Sequence, residues 1–100
     1  MTTTKSEQMR VILQDMFGIG DMREPNRHAA YCNARSIMAW CLVKMEKYTT
    51  SFAGALMHRD HATVLHLKNR MQSVLDNPRA DIVLYDCYQE FLSRYEKAEN

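Results

Sequence analysis

Ala34, Ile37, Met38, Cys41, Leu42 and Met45 follow one another at i, i+3, i+4, i+7, i+8 and i+11, and nothing else in this chain constrains its fold as strongly. Apolar residues at that spacing line one face of a helix, so the segment predicts a helix with that face in a core. The same period recurs on both sides. Met9, Ile12, Leu13 and Met16 mark a first helix, opened by Thr4-Lys5-Ser6-Glu7 at capping-box spacing and stopped by Gly18 and Gly20. Arg23 to His28, a polar stretch containing Pro25, reads as a loop. Thr49 or Thr50 stands where it can cap a short helix through Phe52, Ala53 and Leu56. After a turn at Met57-His58, Val64, Leu67, Met71, Val74 and Leu75 form the inward stripe of a long helix. Asn77-Pro78 ends it, because proline disfavours a helical residue before it. A last helix turns Leu84, Tyr88, Phe91 and Tyr95 inward. No strand alternation or repeat competes, so the expected fold is all-α: a small helical bundle forming one domain over residues 1–100.

Composition narrows the classes of function. A chain of 100 residues, 46% hydrophobic, can build one core but not two. No apolar run approaches the roughly 18 residues of a membrane span. The polar start Thr2, Thr3, Thr4, Lys5 lacks the apolar region of a secretion signal, so a cytoplasmic protein is expected. Cys32, Cys41 and Cys87 have no CxxC spacing and read as reduced, mostly packed thiols. His58, His61 and His66, spaced i, i+3 and i+8, match no zinc frame, so no metal is expected. Without a Gly-rich loop, a nucleophile motif or paired carboxylates, neither a cofactor nor an enzymatic activity is expected.

The net charge is only +1, but it is unevenly placed. Between Arg23 and Arg70, eight Lys or Arg face three acids, whereas from Pro78 onward three basic residues face five acids. All four histidines lie in the basic middle. A short helix, a tight turn and a longer helix with a polar first turn make a helix-turn-helix, and such a basic centre suits DNA. In a major groove, Arg59 can bond phosphate or guanine, and Asp60 can accept from the cytosine amino group. His61 or the Thr63 methyl can touch a thymine methyl. Asp60 is equally a good N-cap, and Arg35 can equally pair with Glu46 or Asp15 on the surface.

Arg59-Asp60-His61-Ala62-Thr63-Val64-Leu65-His66 resembles the RDHTTVLHA signature of the C-terminal DNA-binding domain of the bacterial replication initiator DnaA. Ala34-Arg35-Ser36-Ile37 sits where that family has an Arg at the start of its long helix. Arg23 to His28 is similar to its basic loop, and Met16-Phe17-Gly18-Ile19 to the segment after its first helix. The resemblance covers about residues 9–92. It implies that Asp60, His61 and Thr63 read base edges in the major groove of double-stranded DNA and that Arg35 enters the neighbouring minor groove. It also implies that Arg59, Thr50 at the short helix, Lys68, Arg70 and Arg27 hold phosphates. Ala62 stands in place of the family's first Thr, which implies altered or weaker specificity, and Met57-His58 in place of its Gly-Gly turn, which implies a changed angle between the helices. These 100 residues contain no P-loop, so the expectation is a monomeric DNA-binding module acting in replication initiation, its regulation or transcription regulation. The competing expectation is a protein-interaction module that has lost DNA binding and engages a replication or regulatory protein through Tyr85, Tyr88 and Tyr95 of the acidic last helix.

Overall fold

The computed structural model describes residues 4–99, and Thr2 and Thr3 of the polar start lie outside them. Five α-helices, with no strand among the described residues, make the expected all-α bundle. Helix α1 spans Lys5–Phe17. The Thr4 hydroxyl caps it by accepting from the Glu7 amide at 3.2 Å. Its exit is a left-handed turn at Gly18 (φ 62°), where the Gly18 and Ile19 amides donate to the Asp15 and Gln14 carbonyls. That pairing satisfies the last carbonyls of the helix and needs a residue without a Cβ.

Helix α2, Ala29–Trp40, is the central element, with every residue from Ala34 to Ala39 buried. It continues into a π-helical turn over Cys41–Met45, in which the Glu46 amide reaches back to the Cys41 carbonyl. The wider turn advances the chain by an extra residue and rotates the apolar stripe off register. Ala34, Ile37, Met38, Cys41 and Leu42 are buried as expected, but Met45 is swung out to 38% exposure.

Helix α3 spans Thr50–Met57, capped by Thr49, whose hydroxyl accepts from the Phe52 amide at 3.1 Å. Thr50 is therefore the first helical residue and not the cap. Ala53 and Met57 face the core, whereas Phe52 stands half-exposed, edge-on to Tyr48 with ring centroids 4.9 Å apart. Helix α4, His61–Asp76, buries Val64, Leu67, Met71 and Val74. A 3₁₀ turn at Pro78–Ala80 leads to Asp81, which accepts from the Leu84 amide and opens helix α5, Ile82–Glu99. There Leu84, Tyr88, Phe91 and Tyr95 point inward as expected.

Helix α2 packs on α4 and α1, α3 lies across α4, and α5 closes against α1 and α4. Two polar links lock α4 to α2. The Trp40 indole donates to Gln72 Oε1 at 2.9 Å, and the Arg70 guanidinium donates to Ser36 Oγ and Asn33 Oδ1. Among the described residues no helix is long and apolar enough to cross a membrane.

Candidate nucleic-acid interface

The crossing of α3 and α4 is set by backbone packing. The Gly54 carbonyl accepts from the Arg59 amide at 2.9 Å, and a Cβ on Gly54 would lie 2.4 Å from the Arg59 carbonyl oxygen. Only glycine lets the connecting turn fold back so closely on α3. His58 makes the turn in the left-handed region (φ 56°), where a glycine would be less strained. A short helix, a tight turn and a longer helix thus follow one another, with the start of α4 exposed at His61 and Ala62.

Asp60 is the N-cap of α4, its Oδ1 accepting the Thr63 amide at 2.7 Å. That bond, supported by the Thr63 hydroxyl, holds the carboxyl below the ordinary aspartate range. One carboxylate oxygen is thus committed to the helix start. Beyond it, His61, Ala62, Leu65, His66, Asn69 and Ser73 are all exposed and form the outer arc of α4. Thr63 and Lys68 are half-buried at its edges.

Beside this arc lies an open cleft of about 690 Å³, lined by Pro25, Arg27, Cys32, Arg35, Arg59, Thr63 and His66. Its cations are not equivalent. Arg35, expected to reach a minor groove, is only 6% exposed. Its guanidinium donates to the carbonyls of Met22 (2.8 Å), Glu24 and Asn26 and stacks over Tyr31. Burial, with Arg59 close by, pulls its pKa below the ordinary arginine value. In that position it is an internal group and not a probe of a groove. Arg59, expected to hold a phosphate, donates to the carbonyls of Arg23, His58 and Glu24 at 2.7–2.8 Å. Arg70, expected likewise, is spent on Asn33 and Ser36 and lies 3.5 Å from Asp81. Arg23 is closed on Asp21 at 2.7 Å, an ion pair that holds the Asp21 carboxyl far below its usual range. Arg27 and Lys68 remain, with no side-chain partner among the described residues.

Sequence reasoning missed the two carbonyl-bound arginines. The available signal was the Arg23 to His28 loop itself, whose irregular backbone carbonyls require donors from elsewhere. Tyr88 and Tyr95 are buried, at 6% and 5% exposure, as their place in the inward stripe of α5 predicts, and this removes both from the surface that a docking role for α5 would use. Cys32 and His66 share the cleft, but the thiol donates to the Arg27 carbonyl at 3.5 Å. Among the described residues no three His, Cys, Asp or Glu side chains converge as a metal site. Compared with known proteins, the chain matches no family model and no curated sequence.

Proposed function

We propose that this protein binds double-stranded DNA with a sequence preference, laying the first turns of α4 in the major groove. The carrying observation is the outer arc of α4, which projects from the α3–α4 turn with its polar side chains uncommitted and flanks a cationic cleft. His61 and Thr63 are the base-reading residues, and Asp60 adds its second carboxylate oxygen. Ala62 offers a methyl where a thymine methyl would fit. Arg27, Lys68 and the start of α3 at Thr50 hold phosphates and so set the register. Arg35, Arg59 and Arg70 have no direct contact in this assignment, because each guanidinium is held by acceptors within the protein. The resemblance to the DnaA DNA-binding domain supports a role in replication initiation, its regulation or transcription regulation, with one monomer on one site.

Fluorescence anisotropy tests this with a duplex carrying a DnaA-box-like site and a scrambled duplex across salt concentrations. Binding should be tighter to the box and weaken linearly in log–log form with salt. Ala at His61 should erase the preference, whereas Gln at Lys68 should weaken both duplexes alike. Equal affinity for both duplexes would remove the sequence-reading role of α4.

A further inference from the structure

The segment between α1 and α2 lacks regular structure, so its backbone carbonyls depend on donors from other elements. Four of them, on Met22, Arg23, Glu24 and Asn26, are taken by just two side chains, Arg35 from α2 and Arg59 from the α3–α4 turn. The two guanidiniums share the Glu24 carbonyl, and Arg59 also holds the carbonyl of His58 in its own turn. Like charges placed side by side repel, so neutral carbonyl dipoles between them are what makes the arrangement stable. A guanidinium suits this task because its donors spread in a rigid planar fork, whereas an ammonium offers its three from a single atom. Immediately after the clamped stretch comes Arg27, exposed, without a side-chain partner among the described residues, and lining the cleft beside His66 and Thr63.

We propose that Arg59, together with Arg35, is a positioning residue: it clamps residues 22–26 to the helix-turn-helix so that Arg27 is held beside α4 as a phosphate contact, and Arg59 makes no phosphate contact itself. This rests on the DNA-binding reading above. The clamp and the recognition helix then form one rigid unit, because Asp60 begins the α4 cap at the residue after Arg59. Three of the five guanidinium N–H groups of Arg59 are held by carbonyls, which fixes its side chain within the clamp.

Lysine at position 59 separates the alternatives. It keeps the charge that a phosphate contact uses but cannot span the separate carbonyls. The test measures the affinity of the full chain for the labelled box duplex across salt, for wild type, Arg59→Lys, Arg27→Gln and the double variant. Arg27→Gln is expected to weaken binding about tenfold, the worth of one charge-assisted hydrogen bond. It should also lower the salt slope by about one. Arg59→Lys should do the same although its charge is conserved, and the double variant should be no weaker than either single one. In the free protein, amide NMR shifts of residues 22–27 should move in Arg59→Lys, while residues in α5 stay in place and report an intact fold. Arg59→Lys binding like wild type, or loop shifts left unchanged, would overturn the inference alone. Wild type binding neither duplex would overturn the DNA reading and the inference with it.

Discussion

Substituting Gly54 by alanine probes the contact that fixes the angle between α3 and α4. The added Cβ would sit 2.4 Å from the Arg59 carbonyl oxygen and 3.4 Å from the carbonyl carbons of Arg59 and Asp60. Ordinary contact begins near 3.4 Å, so the oxygen would have to retreat by about an ångström. It cannot retreat by itself. The Arg59 amide is bonded to the Gly54 carbonyl, and the next residue, Asp60, caps α4. Alanine in a helix interior gains about 1 kcal/mol over glycine in propensity. Overpacking costs about 1–3 kcal/mol, and a backbone obstacle places this site toward the upper end. The net expectation is a loss of about 1–2 kcal/mol, or about 5–10 °C in Tm for a domain of this size. Thermal and urea unfolding followed by far-UV circular dichroism and the single Trp40 measure it. Affinity for the box duplex should fall as well, because α4 shifts against the clamped loop. A Gly54→Ala protein as stable as wild type would refute the reasoning, since the turn would then be compliant.

His58→Gly should act in the opposite sense, stabilising by up to about 1 kcal/mol as left-handed strain is relieved, less the entropy of a more flexible unfolded chain; a lower urea midpoint would contradict this. Asp60→Ala should lower Tm by removing the α4 cap, and Asp60→Asn should largely preserve it, so equal losses in both would argue against capping. Asp21 is held below its ordinary value mainly by the Arg23 side chain and Asp60 mainly by the Thr63 amide, so both contribute stability above the unfolded aspartate range. That stability is lost as pH falls from about 4 downward, and Tm measured from pH 7 to pH 3 should fall less steeply in Asp21→Asn. Trp40→Phe leaves Gln72 Oε1 without the indole donor and should cost about 1 kcal/mol, read from the urea midpoint by circular dichroism.

What the sequence determined by itself is the set of helices and most of their buried faces. The stripes at Ile37–Leu42, Val64–Val74 and Leu84–Tyr95 are periodic within one segment, and burial follows directly from period. The caps at Thr4 and Asp60 were legible for the same reason, since cap and partner lie three residues apart. The exposed start of α4, with His61 and Ala62, followed from the position of its stripe. Only the tertiary structure decided the rest. Met45 leaves the core because of a π turn that hydropathy does not announce, and Gly54 matters because another segment's carbonyl lies against it. The arginines show the division most clearly. Arg35, Arg59 and Arg70 looked equally available in the chain, yet their partners lie 9 to 37 residues away, apart from the bond that Arg59 makes to neighbouring His58. A long guanidinium side chain takes its partners from whatever acceptors the fold brings within reach, and that is fixed only when the helices pack.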